Sequence, residues 1–176
     1  QTIADTLKAA KKPLIISGTS LQDPAIMEAA AQVAQNLGAN AGLTLTVPEV
    51  NSMGMAILGG QSLEQAFAQD YDTIVIVEND LYRRLPAKQI DAALAKAKDI
   101  IVLDHAETET VKKANIVLSA ASFAEGDGTV VSQEGRAQRF YQVYDASYYK
   151  PEYAIKESWR WIHAIQTGVK GQAISW

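Results

Sequence analysis

Four short apolar runs, each preceded by a helix-length amphipathic stretch, constrain this chain more than any other feature. They are Pro13-Leu14-Ile15-Ile16-Ser17, Thr73-Ile74-Val75-Ile76-Val77, Asp99 to Leu103, and Asn115 to Leu118. Runs this short with apolar residues at consecutive positions read as strands rather than helices. A strand with one wet face would alternate apolar and polar residues. A continuous run suits a parallel sheet covered on both faces.

The stretches between the runs carry helix signals. Ile3 to Lys11 places Ile3, Leu7 and Ala10 on one stripe. Asp23-Pro24 starts a second helix: Asp accepts from the free amides of the first turn and Pro tolerates lacking one. That helix is predicted to run to about Leu37, with Gly38 at its end. Residues 40–60 are predicted to be mostly loop, with a short strand or turn at Thr44–Val47, because Pro48, Gly54, Gly59 and Gly60 interrupt any longer element. Ser62 and Gln65 have capping-box spacing for a short helix to Gln69. Pro86 to Lys98 and Glu107 to Lys113 are the next helices. The last spans Glu152 to Gln166, with Ile155, Trp159, Ile162 and Ile165 on one stripe and Trp161 off it. Apolar residues on two faces imply two neighbours for that helix.

This alternation predicts an α/β fold: a Rossmann-like open parallel sheet with helices on both faces, a loop or hairpin excursion, and a final helix. The expected organisation is a parallel α/β domain over 1–122, a Gly-rich extended excursion over 123–150, and a C-terminal helix over 151–176 packing back on the domain. The chain begins at Gln1 rather than Met and ends at Trp176 just past an amphipathic helix. We therefore expect a fragment of a larger subunit.

In open parallel sheets, ligands sit outside the carboxyl ends of the strands. The candidate site residues are therefore Gly18-Thr19-Ser20, Glu78-Asn79-Asp80, Asp104-His105 and Ser119-Ala120-Ala121, expected to form one polar rim. The competing reading is that any α/β domain carries polar residues there. Gly18-Thr19-Ser20 lacks the glycine and lysine spacing of a phosphate-binding loop. His105 and His163, 58 residues apart, have no metal-ligand spacing. The segment Phe123–Phe140 turns at Gly126-Asp127-Gly128, extends through Thr129-Val130-Val131, and turns again at Gln133-Glu134-Gly135-Arg136. Glu134 and Arg136 either bind charged groups of a ligand or pair with each other or with Asp127.

Composition removes several function classes. Net charge is −4 with no basic cluster, against nucleic-acid binding. No apolar run has the length of a membrane span, against direct membrane insertion. There is no cysteine, so this chain supplies no thiolate for a cluster or a structural zinc.

Glu125, Gly128, Thr129, Glu134, Gly135, Arg136 and Gln138 resemble the E-x-x-G-T-x-x-N-x-E-G-R-x-Q signature of the molybdopterin oxidoreductase family. Glu109-Thr110 through Ser119 resembles a second hallmark, E-T-A-x-x-A-D-V-V-L-P. The run continuing through Phe140–Asp145 and Glu157–Trp161 is most similar to one branch, the large iron–sulfur subunits of bacterial NADH:quinone oxidoreductase (complex I). In active members of the family such a domain helps hold a pterin guanine dinucleotide. The resemblance carries that role to Gly18, Glu78, Asn79, Asp104, Thr108, Gly128, Thr129, Ser132, Glu134 and Arg136. Three positions depart from the patterns: Asn115 replaces Asp, Ser119 replaces Pro, and Ser132 replaces Asn. They fall where the pattern supports the cofactor region, and they fit a domain that kept the fold and lost the ligand.

What the branch implies is a cofactor-free structural domain with no catalytic residue and no metal site. It would scaffold an iron–sulfur electron-transfer arm whose clusters lie elsewhere in the parent subunit. The implied partners are other subunits of complex I and the missing parts of the same chain, the latter met by the Trp159/Trp161 helix. The implied location is cytoplasmic, peripheral to the inner membrane. Two alternatives remain open at this point. One is the molybdopterin-binding domain of an active molybdenum or tungsten oxidoreductase such as formate dehydrogenase. The other is a generic nucleotide-binding module, since Leu7–Gly18 also resembles the central domain of thiamine-diphosphate enzymes.

Overall fold

Each apolar run forms a strand, and the strands pair in parallel. The computed structural model describes residues 2–21 and 23–171. Residues 172–176, the end of the expected 151–176 segment, lie outside the described residues. The chain divides into two units, Gln1–Gly60 with Thr129–Gln138, and Gln61–Gly128 with Arg139–Trp176.

In the first unit, α1 (Thr2–Ala9) leads to β1 (Leu14–Gly18), α2 (Pro24–Leu37) and β2 (Gly42–Thr46), with β1 and β2 in parallel register from Leu14↔Gly42 to Gly18↔Thr46. α2 has the expected boundaries: Asp23 Oδ1 accepts from the Ala25 amide at 3.0 Å, Pro24 is its first residue, and Gly38 closes it at φ 89°. Over 40–60 the expected short strand forms as β2, while the loop expected around it is corrected: Ser52–Leu58 is a helix, α3. Gly54 reads as a breaker but is buried inside α3, because the Asn51 side chain occupies the place a Cβ would take. Asn51 Oδ1 also accepts from the Val131 amide at 2.8 Å, a contact across 80 residues that local patterning does not register.

In the second unit, α4 (Leu63–Phe67) starts at the expected capping box, with Ser62 and Gln65 exchanging bonds of 3.2 and 3.1 Å. β3 (Thr73–Val77), β4 (Asp99–Asp104) and β5 (Ile116–Ser119) form one parallel sheet in that order. α5 (Ala87–Leu94) buries Ile90 and Leu94 against it. Ile76, Leu81, Ile90, Leu94, Ile100 and Val102 make the core cluster. Burial on both faces, expected of every run, holds for the central β4; Val75 and Val77 on β3 remain 48% and 38% exposed.

Two further expectations change. Glu107–Lys113 is not a helix but a loop ending in a 3-10 turn at Val111–Lys113. Thr110 is drawn fully into the interior there. The last helix, α7, spans Ser158–Lys170 rather than Glu152–Gln166, because Lys156 is extended and pairs in parallel with Ala120 beyond the end of β5. Ile155 therefore precedes the helix. The face turned inward is marked by buried Ser158 and by Trp161, whose indole donates to the Ser119 carbonyl at 2.8 Å. Trp159, Ile162 and Ile165, the expected core stripe, are 42%, 45% and 36% exposed.

β6 (Gly128–Val131) and β7 (Ala137–Phe140) form a hairpin, followed by a single-turn helix, α6 (Ala146–Tyr149). The fold is thus mixed α/β, with parallel sheets flanked by helices, an antiparallel hairpin and a C-terminal helix, as the alternation predicts.

Candidate functional site

Two strand ends of the second unit, those of β4 and β5, open on a cavity of about 550 Å³. Asp104 and His105 come from the end of β4, Ser119 from the end of β5, and Ser122 and Glu125 from the loop beyond it. The segment from Glu152 to Ile155 closes one side. Asp104 is the buried anchor: its side chain is 5% exposed, and Oδ1 accepts from the amides of His105 and Ala106 at 2.7 and 3.2 Å. His105 Nδ1 lies 3.4 Å from the same oxygen, with its ring half exposed. Glu125 and Ser122 bond reciprocally. Glu125 Oε2 accepts from the Ser122 amide at 2.9 Å, and the Glu125 amide donates to the Ser122 carbonyl at 2.9 Å.

Bonds from the Ser122 side chain and then its amide hold the Glu125 carboxyl below its ordinary value of 4.5. The folded pKa is depressed, so the stability Glu125 contributes is present above 4.5 and is lost as pH falls through the lower folded value. Glu125→Gln is therefore expected to cost about 1 kcal/mol at neutral pH. The gap to wild type should close under acid. Urea midpoints of the two proteins, compared at neutral pH and well below 4.5, check this. A gap that widens in acid would contradict it.

A second cavity of about 280 Å³ shares Glu125 and Ile155 and is lined also by Asp145, Lys156, Glu157 and Arg160. Its charges are largely internal. Arg160 pairs with Glu157 at 2.7 Å, and Asp145 Oδ1 accepts from the Ser147 amide and hydroxyl at 2.9 and 2.6 Å.

Of the residues singled out from sequence, Asp104, His105, Ser119 and Ala120 line the larger cavity. The others in this unit face partners within the fold. Glu78 follows β3 at φ 46°, the one positive φ of a non-glycine among the described residues, and its carboxylate accepts from the Ser158 hydroxyl. Asn79 Oδ1 accepts from Arg84 Nε at 3.1 Å. Thr108 Oγ1 accepts from the Val111 amide at 3.2 Å and starts the 3-10 turn. Gly128 lies under the Phe140 ring, which a Cβ would meet at 2.9 Å, and Phe140 stacks on Phe123 at 5.1 Å.

Gly18, Thr129, Ser132, Glu134 and Arg136 belong to the first unit. Gly18 ends β1, where a Cβ would come within 2.7 Å of the Thr46 carbonyl oxygen. Thr129 lies on β6. Ser132 closes the hairpin: its amide donates to the Arg136 carbonyl at 3.0 Å, and its Oγ accepts from the Arg136 amide at 3.3 Å. The pairings considered for Glu134 and Arg136 do not form among the described residues. Both side chains are exposed, and Asp127 pairs with Arg139 at 2.7 Å instead.

Sequence reasoning missed Ser122 and the 152–155 segment, which reads as helix until the Ala120–Lys156 pairing is known. It also misplaced one departure from the hallmark. Asn115 sits at the start of β5, at the opposite end from the cavity, where Oδ1 accepts from the Ile100 amide at 2.7 Å. An aspartate there would accept the same bond, so this change concerns the sheet and not a ligand. Ser119 does lie at the cavity, where its carbonyl receives the Trp161 indole.

A family model described as molybdopterin oxidoreductase matches residues 1–166. The chain is 54% identical over 183 aligned residues to the G subunit of NADH-quinone oxidoreductase from Pseudomonas putida, an alignment covering all of this chain and 20% of that relative. It is 51% identical to the G subunit from Pseudomonas fluorescens, with the same coverage. With that of Escherichia coli (strain K12) it shares 48% over 181 aligned residues, 99% of this chain and 20% of the relative. The chain spans about one fifth of the length of the curated relatives it matches.

Proposed function

Because this chain belongs to the molybdopterin oxidoreductase family, we propose that it is a member whose strand-end site no longer takes the family's dinucleotide. Its role is then that of a structural domain in a polypeptide of the NADH-quinone oxidoreductase G-subunit type. That polypeptide would work in the peripheral arm of a respiratory complex passing electrons from NADH to quinone, on the cytoplasmic side of the inner membrane. The iron–sulfur clusters would lie elsewhere in the longer chain. Identity of about half the residues along the whole chain to these G subunits supports the branch.

The observation that carries the loss of the ligand is the charge of the cavity. A diphosphate-bearing group is held by cations or by free amides. The cavity at the ends of β4 and β5 presents Asp104, Glu125 and Glu152 and contains neither Lys nor Arg. Each carboxylate brought within about 4 Å of a phosphate oxygen would oppose binding by roughly 4 kcal/mol at an effective dielectric of about 20. The amides of His105, Ala106 and Ser122 are already committed to Asp104 and Glu125. The donor set does not fit the group.

Elemental analysis of the purified full-length protein tests this reading. Iron without stoichiometric molybdenum or tungsten is the expected result. One molybdenum or tungsten per chain, accompanied by an extractable pterin dinucleotide, would overturn it in favour of an active oxidoreductase.

A further inference from the structure

A lining that repels phosphate attracts a cation, and one buried atom of the larger cavity lacks a donor. The Asp104 side chain is 5% exposed. Its Oδ1 accepts from the amides of His105 and Ala106 and lies 3.4 Å from His105 Nδ1. Oδ2 has no donor among the described residues. It is not sealed off either, so the little surface Asp104 keeps opens on the cavity it lines. A carboxylate oxygen withdrawn this far from water costs free energy unless a donor reaches it.

The rest of the lining extends the same chemistry. Glu125 and Glu152 add carboxylates, and neither Lys nor Arg lines the cavity. Glu152 is exposed and has no cationic partner among the described residues. The cations at the border are engaged elsewhere. Lys150 donates to the Tyr153 hydroxyl at 3.0 Å, Arg160 pairs with Glu157 at 2.7 Å, and Lys156 lies over the Trp161 ring at 4.7 Å. Of the bases nearby, His105 is the one whose field lowers the Glu125 carboxyl. The acids do not converge on a point: among the described residues, no group of three or more His, Cys, Asp or Glu could hold a metal ion. A guanidinium spreads its charge over five N–H donors in a flat fork, so it reaches acceptors set around a cavity that no single ion could bridge. At about 550 Å³ the cavity has the size of a small-molecule site.

We propose that the cavity at the ends of β4 and β5 binds a guanidinium group, which donates to Asp104 Oδ2 and is neutralised by Glu125 and Glu152. The proposal rests on the reading that this site no longer takes the family's dinucleotide. The guanidinium belongs either to a free small molecule or to an arginine side chain that enters from elsewhere in the assembly. Both present the same fork to the same acceptors, and a carboxylate binds that fork more strongly than it binds a neutral donor.

The test uses the full-length polypeptide, alone and in the assembled complex. Agmatine is the free probe, and putrescine, which carries an ammonium in place of the guanidinium, is its comparison. His105 is half exposed at the cavity, so its carbethoxylation by diethyl pyrocarbonate, read by mass spectrometry, reports occupancy. Agmatine is expected to slow His105 saturably, at about a tenth of the putrescine concentration. Asp104→Asn keeps the Oδ1 acceptor for both amides and replaces Oδ2 by a donor; it should raise the agmatine requirement about tenfold. Glu152→Gln, at an exposed position, should raise it by less and leave the urea midpoint unchanged. Where an arginine of the assembly already fills the cavity, His105 reacts slowly without any probe. Asp104→Asn then speeds it and exposes one arginine to phenylglyoxal. Equal potency of agmatine and putrescine would overturn the proposal, because acids that only gather counter-ions do not tell the two apart. So would a His105 rate that neither the probes nor Asp104→Asn alters, the mark of carboxylates that are merely hydrated. A failed titration in a protein without molybdenum leaves the proposed function standing, whereas stoichiometric molybdenum with a pterin removes both.

Discussion

Replacing Ile90 by alanine is expected to lower the unfolding free energy of the second unit by about 2–5 kcal/mol. Ile90 is fully buried on α5, among Ile76, Leu81, Leu94, Ile100 and Val102, with Leu63 and Phe67 packed at the edge of the cluster. The loss combines the transfer free energy of the removed carbons with the cavity left behind. That cavity collapses poorly, because its floor is β4, hydrogen-bonded on both sides to β3 and β5. Ile90→Val, which removes one methylene, should cost about 0.5–1.5 kcal/mol. Trp159 and Trp161 lie in the same unit, so urea unfolding followed by tryptophan fluorescence reads the effect directly. An Ile90→Ala midpoint matching that of Ile90→Val would show that α5 does not anchor this core.

Much of this fold was legible because its signals are local. The Asp23-Pro24 start of α2, the Ser62/Gln65 box and the consecutive apolar residues of β3 and β4 each operate within a few residues. What stayed hidden depends on contacts distant in sequence. α3 survives Gly54 because Asn51 fills the gap and reaches Val131. α7 begins late because Lys156 is held by the end of β5, and its inward face is marked by Trp161 because a carbonyl 42 residues earlier accepts the indole. The same holds for the candidate site. The strand-end rule located Asp104 and Ser119, but pattern matching could not separate residues that line a cavity from those that hold the chain in place. Gly128 and Thr108 are both positions to which the resemblance carries the cofactor role, and the structure gives them a packing and a capping role.

Thr110 states this distinction most sharply, and its replacement by valine is the second large effect expected. Its side chain has no exposed surface, and its hydroxyl serves two bonds of 2.8 Å: it accepts from the Leu81 amide and donates to Asp80 Oδ1. The loop that follows Asp104 at the end of β4 and begins with His105 is thereby tied to the turn after β3. Valine keeps the volume and removes the oxygen, leaving the Leu81 amide buried without a partner, at a cost of about 1–3 kcal/mol. Thr110→Ser keeps the oxygen and gives up a methyl, so it should lie closer to wild type. The ranking wild type, Ser, Val in urea midpoint is the expected order, with faster hydrogen exchange at the Leu81 amide in the valine variant alone. A valine variant more stable than the serine one would mean that the side chain is retained for its shape and not for its bonds. The hallmark threonine would then have to be explained by packing, and the link between the two loops would lose its physical basis.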